Sequence, residues 1–398
     1  MLIEIHMLQN HAPSNLNRDD SGSPKDCIFG GIRRARISSQ CLKRSIRRSP
    51  IFVDELGEDL LGIRTRRLPQ EIKAILLDKG VSEELAEIAA EKVTGFGNKE
   101  GKEQKDGKTA QVIFLSPQDI QKVAEVMYEV VKNTASAEEL KNLKAKELQS
   151  KATLKGWRPI TLDIALFGRM TTSEAFRDVE AAMQVAHAIS TNKMDHEFDY
   201  FTAVDDLQES EAGGEDTGAG MIGDVEFNSA CFYKYFSLDF DGLVANMAGP
   251  KLKQMTNQEK KEYEDAYSEA RLIAIKAVKA FLKAAIFTNP SGKQNSFAAH
   301  QLPEAILVEV RSVKAPVSYA NAFIKPAKAY RDKDLLEDSM DKFIQYAEKL
   351  NKKYNLESIE RLWFNTRDIE MNDVKDCETT DDLFNNLQII LETSEDHE

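Results

Sequence analysis

Eight basic residues fall within positions 25–48, namely Lys25, Arg33, Arg34, Arg36, Lys43, Arg44, Arg47 and Arg48, against a single acid, Asp26. The chain that carries them has a formal net charge of −13. The chemistry open to such a cluster is the binding of a polyanion, because Lys and Arg neutralise phosphates and release their counterions. The stretch "FGGIRRARISSQCLKRSIRR" (29–48) adds two features. Its glycines permit close backbone approach. Ser38, Ser39 and Gln40 bring hydroxyl and amide donors to the point where a helix would begin, and a helix N-terminus already favours phosphate. The combination reads as a track for a nucleic-acid backbone.

The spacing predicts a helix over about residues 40–49, capped by Ser38 or Ser39. At about 100° per residue, Leu42 and Ile46 share one side, while Gln40, Lys43, Arg44 and Arg47 share the other. Lys43/Arg47 and Arg44/Arg48 are like-charge i, i+4 pairs, each costing about 0.2–0.5 kcal/mol in isolation. A bound polyanion reverses that sign. The competing assignment is a solvated basic face paired with the acidic C-terminus, since residues 368–398 hold eleven Asp or Glu and one Lys. Arg34 and Arg36 are counted with the phosphate track.

Other chemistries find less support. Asp19–Asp20 and Asp205–Asp206 are paired carboxylates of the kind that hold Mg²⁺ in nucleases. Neither pair has an evident general base or third ligand, and acids in turn-rich loops commonly cap backbone N–H groups. The four cysteines and six histidines are scattered without metal-ligand spacing. The expectation is therefore a protein that is not an enzyme, with no metal and no cofactor. No stretch approaches the roughly 20 apolar residues of a membrane span, and the N-terminus lacks the pattern of a signal peptide. A cytoplasmic protein with reduced thiols is expected.

The elements that would position these residues follow from periodicity. "LIEIHML" (2–8) alternates as a strand with Ile3, Ile5 and Met7 on one face. Residues 66–155 read as helical, with Ser116/Asp119 and Ser136/Glu139 as N-cap signals and a polar Gly/Lys-rich loop at 95–109. "VEAAMQVAHAIS" fits a helix or a strand, and the alternation of Met183, Val185, His187 and Ile189 favours a strand; "EFNSACFYKYFSL" (226–238) is another. Between them, the glycine-rich segment around 199–224 reads as an extended hairpin or projecting loop. Thr256/Glu259 opens a helix to about residue 287, and "EAILVEVR" (304–311) gives a last strand, after which the chain reads as mostly helical. The order is β-α-β-β-α-β, that of a ferredoxin-like or RNA-recognition fold carrying large insertions.

"LNRDDSGSPKDCIFGGIRRARISSQCLKRSIR" (16–47), "DIALFGRMTTS" (163–173), "AAMQVAHAIS" (181–190) and "DYFTAVDDLQ" (199–208) together resemble, in the same order, the Cas7 (CasC/Cse4) family, the backbone subunit of the type I-E CRISPR Cascade complex. The resemblance covers most of residues 1–325. It implies an α+β fold with an RRM-type palm (1–60, 156–190, 226–325), a helical fingers insertion (61–155) and a thumb β-hairpin (191–225); residues 326–398, beyond the resemblance, read from their own pattern as a C-terminal helical region with an acidic tail. It implies several copies polymerised along one CRISPR RNA (crRNA), whose thumbs kink the RNA and leave bases open to pair with target DNA. By motif position, Lys25, Ser38, Gln40, Lys43 and Arg47 would hold the RNA backbone. Met170 would be a wedge beside the kink, with a core methionine as the alternative, and Phe201, Thr202 and Met221 would belong to the thumb. Lys141, Lys144, Lys146 and Lys151 would attract target DNA, with a solvated helix face as the alternative. Implied partners are crRNA, target DNA, further copies of the chain, the Cascade subunits Cas5 and Cas6 with the large and small subunits, and indirectly Cas3. An RNA-cleaving backbone subunit and a scaffold that contacts only protein are the alternatives. Residues 205–226 hold eight acids and no Lys or Arg, so any contact of this segment with RNA would be steric and apolar.

Overall fold

A computed structural model of the 398-residue chain describes residues 1–151, 159–203, 221–249 and 256–394. The strands are β1 (Leu2–Ser14), β2 (Asp26–Phe29), β3 (Ile32–Ile37), β4 (Ile63–Thr65), β5 (Ile113–Leu115), β6 (Met183–Val185), β7 (Ala188–Ser190), β8 (Glu197–Ala203), β9 (Met221–Asp239), β10 (Ala305–Arg311), β11 (Glu360–Asn365) and β12 (Lys375–Asp376). The chain divides into two compact units. The first comprises residues 1–52, 185–237 and 279–398, the second residues 53–184 and 238–278. Among the described residues no helix is long and apolar enough to cross a membrane.

The first unit is built on a sheet in the order β12-β11-β10-β1-β9-β7-β3-β2. Its middle is the expected ferredoxin-like pattern. Of the strands β1, β7, β9 and β10, the fourth lies beside the first, the first beside the third and the third beside the second. The helix Ser39–Arg47 falls between β1 and β7, and the helix Asn257–Phe287 between β9 and β10. The expected mostly helical C-terminal region is corrected in part. Residues 360–365 form β11, which pairs antiparallel with β10 and extends the sheet, while Leu335–Tyr354 and Thr380–Thr393 are helices. A six-residue strand in an acid-rich context offers too few alternations to be seen in the sequence.

The alternation in β1 does not mark an exposed face. Ile3, Ile5 and Met7 are buried, and so are Glu4, His6 and Leu8 on the opposite side. The polar residues survive burial because they are paired. Glu4 meets Arg311 Nε at 3.0 Å and accepts from the Tyr235 hydroxyl at 2.5 Å. Glu309 accepts from Arg311 at 3.0 Å and from Arg361 at 2.8 Å. His6 meets Glu309 at 3.3 Å and Tyr233 at 2.8 Å. Two carboxylates thus face two guanidiniums, and the pairing with His6, Arg311 and Arg361 outweighs burial in holding Glu309 far below the usual carboxylate range.

The second unit packs helices Leu68–Asp78, Glu83–Val93 and Pro117–Lys132 around Leu68, Ile72, Val93, Val123 and Met127. Its small β4–β5 sheet puts one strand, β5, inside the stretch 66–155 expected to hold helices and a polar loop. The Gly/Lys-rich loop is pinned to it, through Thr109 N–H to Arg66 O at 2.9 Å and Gln104 N–H to the Thr94 hydroxyl at 2.9 Å.

One residue of the central sheet is out of keeping with its surroundings. Lys234, on β9, is 1% exposed, and burial pulls its ammonium down to about 8 from the usual 10.5. The unfolded chain holds that proton to higher pH, so the fold gains stability as pH rises from about 8 toward 10.5, and the full cost stands below 8. That cost is on the order of 3 kcal/mol. Lys234→Met is expected to be the more stable protein at pH 7, with the difference shrinking by pH 10. Urea unfolding at both values checks it, and a difference that does not change with pH refutes the buried-charge account.

Candidate nucleic-acid interface

The helix Ser39–Arg47 forms as its spacing predicts. Ser38 is the N-cap, its hydroxyl accepting from Cys41 N–H at 3.3 Å. Leu42 and Ile46 are buried, within or beside a cluster of Ala35, Ile37, Ala188 and Phe232. Gln40 and Arg44 are exposed, while Lys43 and Arg47 are half-buried at the edges of the docked face. Asn17 sets the position of the helix start. Its side-chain oxygen accepts from Ser38 N–H at 2.8 Å, and its carbonyl accepts from Lys25 N–H at 2.8 Å. Lys25 O in turn accepts from Arg36 N–H at 2.8 Å. One asparagine therefore ties the loop after β1 to both the strand and the helix that carry the charges.

Two features of the basic segment have roles other than those expected. Gly30 and Gly31, with φ of 58° and 78°, are the two-residue turn of the β2–β3 hairpin, where both central residues need positive φ. A Cβ on Gly30 would also lie 2.9 Å from Ile324 O. Arg34, counted as a phosphate contact, is fully buried. Its guanidinium donates to the carbonyls of Thr191 at 2.6 Å and Phe323 at 2.6 Å, with Ser190 at 3.1 Å. It fixes strand positions and presents no charge outward. Arg36 is half-buried and donates to Asp26 O at 3.0 Å, and Asp26 also pairs with Arg33. A cleft of about 540 Å³ runs beside the helix, lined by Asn17, Arg18, Asp19, Cys41, Arg44 and Ser45 among others. Within it Asp19 accepts from the Ser21 hydroxyl at 2.7 Å and from Ser21 and Ser23 N–H at 2.9 and 3.0 Å. These bonds, the Ser21 hydroxyl's first, hold its carboxyl below the ordinary range. Its role is that of a turn cap, and among the described residues no three His, Cys, Asp or Glu side chains converge on a metal position.

Phe201, Thr202 and Met221 lie in the same unit, on an antiparallel ladder between β8 and β9 that pairs Phe201 with Gly223, Thr202 with Ile222 and Ala203 with Met221. Every residue of β8 is exposed, while β9 begins exposed and becomes buried from about Ala230 onward. Residues 204–220, which hold most of the acidic segment, lie outside the described residues. The Phe201 ring lies against the bare backbone of Gly223, where an added Cβ would stand 2.5 Å from the ring edge. At the base of the ladder, His196 pairs with Glu226, and Asn15 donates to Glu226 O at 2.9 Å.

Met170 and the lysines of the helical insertion lie in the second unit. Met170 is 95% exposed, which removes a core role. The preceding Arg169 explains how an exposed methionine is held in place. Its buried guanidinium donates to Asp119 at 2.5 Å, Phe114 O at 3.1 Å and Arg177 O at 2.9 Å. Arg169 and Val179 also exchange backbone hydrogen bonds of 2.9 and 2.7 Å. Lys141, Lys144 and Lys146 are exposed. Lys151 ends the helix Ala145–Lys151, and its side chain lies outside the described residues.

Sequence reasoning missed Asn17, Gly223, Asp119's second role and His187. Asn17 and His187 carried a signal, by lying in motifs that resemble the family.

Two expected outcomes follow from this geometry. Gly223→Ala should displace the Phe201 ring with an unchanged thermal midpoint and, if one base of a single-stranded RNA stacks on that ring, both Gly223→Ala and Phe201→Ala should weaken RNA binding by roughly 5- to 100-fold. Equal RNA affinity in the Gly223 variant would separate the ring from binding. Met170→Ala should alter stability by less than about 0.5 kcal/mol, whereas Asp119→Ala, which orphans buried Arg169, should cost about 3–5 kcal/mol. Urea unfolding of the two variants checks that contrast.

Comparison with known proteins covers nearly the whole chain. The profile of the CT1975-like protein family matches residues 3–389. No curated protein matches. Among solved structures, the chain is similar to a chain of a "CRISPR RNA-guided surveillance complex, pre-nicking", at 26% identity with a TM-score of 0.79, covering 98% of this chain and 100% of that one. It also shares its fold with a chain of a "CRISPR RNA-guided surveillance complex", at 22% identity with a TM-score of 0.58, covering 98% and 99%. A profile match that leaves only a few residues at either end means that the chain belongs to the CT1975-like protein family.

Proposed function

We propose that this chain is the Cas7-like, crRNA-binding backbone subunit of a CRISPR RNA-guided surveillance complex of the type I-E Cascade kind. Copies line the crRNA, each holding its sugar-phosphate chain along Lys25, Arg36, Ser38, Gln40, Lys43, Arg44 and Arg47. The β8–β9 hairpin, with Phe201, Thr202 and Met221, and the Met170 loop press on bases and kink the strand. The bases between kinks stay free to pair with target DNA, toward which Lys141, Lys144, Lys146 and Lys151 offer charge. The chain acts by binding and catalyses no step. Its partners are further copies of itself, Cas5, Cas6, the large and small subunits and, indirectly, Cas3.

The observation that carries this proposal is the outward cationic face of the Ser39–Arg47 helix, with Gln40 and Arg44 exposed and Leu42 and Ile46 buried beneath. Phosphate grips by charge and is tested by salt. Single-stranded binding loses affinity with salt at a log–log slope of about −0.7 per neutralised phosphate. Lys43→Glu with Arg47→Glu is therefore expected to weaken RNA binding and to flatten that slope by at least roughly 1.4. Unchanged affinity and slope would reject the helix as the cradle and favour a scaffold that contacts only protein.

A further inference from the structure

His187 stands at the N-terminal end of the basic helix. The residue is exposed, in the segment just before β7. Its Nδ1 lies 3.3 Å from Ser39 N–H and 3.3 Å from the Arg36 guanidinium. Both neighbours can only donate, so Nδ1 must be the acceptor and the ring must be the neutral Nε2–H tautomer. Ser39 is the first residue of the helix, and its N–H is one of the donors left unsatisfied within the helix itself. His187 thus supplies, from 148 and 151 residues away, a lone pair to the Ser39 N–H and the Arg36 guanidinium that a phosphate oxygen would seek.

We propose that His187 is an acid-sensitive placeholder in the guide cradle, whose neutral ring occupies the phosphate donors Ser39 N–H and Arg36 until protonation or RNA displaces it. The proposal rests on the crRNA-cradle assignment made above. Protonation puts a hydrogen on Nδ1 against two donors, which breaks both contacts and expels the ring. The expelled imidazolium then stands beside the incoming phosphate as an additional cation. RNA entry and proton uptake at His187 are therefore linked.

The surroundings set the direction of the effect. Partial burial, then Arg36 from β3, then Lys25 from the loop before β2 hold the free imidazole below its ordinary range near 6.5. No carboxylate contributes among those causes. In the complex, phosphate neutralises Arg36 and Lys25 and raises the same group. Between the two values the complex binds more protons than the free protein, so affinity rises as pH falls through that window, by at most about tenfold per pH unit for one proton.

The test measures binding of a single-stranded RNA of crRNA length to the full chain from pH 8 to 5.5 at fixed ionic strength, for the wild type, His187→Ala and His187→Gln. The wild type should bind more tightly as pH falls. His187→Ala should bind at pH 8 at least as well as the wild type and lose most of the pH slope, and His187→Gln should be equally insensitive. A slope that persists in both variants assigns the titration to another group and overturns the proposal. A His187→Ala variant that binds more weakly at pH 8 makes the residue a direct contact and also overturns it. Imidazole ¹⁵N shifts in the RNA-free protein give a second reading, and an Nδ1–H tautomer there refutes the placeholder whatever RNA does. Failure of the cradle itself appears separately, as RNA affinity indifferent to Lys43→Glu with Arg47→Glu.

Discussion

A helix that gathers Lys43, Arg44, Arg47 and Arg48 within two turns needs an anchor, and Leu42 with Ile46 provide it. Burying two such side chains is worth about 1.5–3 kcal/mol each. The two like-charge i, i+4 pairs oppose this by about 0.2–0.5 kcal/mol each. Packing wins by several-fold, so the ridge can hold its charge before any polyanion arrives. The cap supplied by Ser38 and the two bonds made by Asn17 then fix where the ridge starts. Without that docked stripe there would be no oriented N-terminus and no Ser39 N–H beside Arg36.

Beneath this surface the sheet is made rigid in an uncommon way. Its central strands are buried on both faces, so the polar positions of an alternating pattern cannot turn to solvent. Glu4 and Glu309 are instead matched by Arg311 and Arg361, with Tyr235 and Tyr319 closing further bonds. Such a network adds little net stability compared with an apolar core, because desolvation cancels much of the attraction. Its partial loss would be expensive, since each remaining charge would be stranded. That asymmetry favours one strand register over its neighbours.

The exposed apolar side chains share a different logic. Met170 and Phe201 are unprotected by any core, yet neither is left to wander. Arg169 locks the backbone under Met170 through a buried ion pair with Asp119, and Gly223 offers Phe201 a flat seat that any Cβ would spoil. Hydrophobic groups held outward in fixed positions suit contact with something planar and apolar, such as a base, better than they suit solvent.

Much of this was open to a reader of the sequence alone, wherever the physics is local. The Ser39–Arg47 helix, the capping boxes Ser116/Asp119 and Thr256/Glu259 and the long helix to Phe287 rest on bonds within four residues and on a 3.6-residue period. The β-α-β-β-α-β order also followed from such periods. What the chain could not disclose locally was which of several identical side chains meets solvent. Arg34 and Arg44 are the same residue ten positions apart, yet Arg44 is exposed and Arg34 is buried because β3 pairs with β7 and carbonyls 190–192 and 323–324 close around it. Gly30 and Gly31 read as an approach for phosphate until pairing of β2 with β3 made them a turn. Asn17 and His187 acquire their roles from partners 21 and 148 residues distant. Composition and spacing determined that this chain would carry a cationic helix on an α+β scaffold. Only long-range pairing, which decides burial and hydrogen-bond partners at once, determined which cations, donors and aromatic rings are available to a ligand.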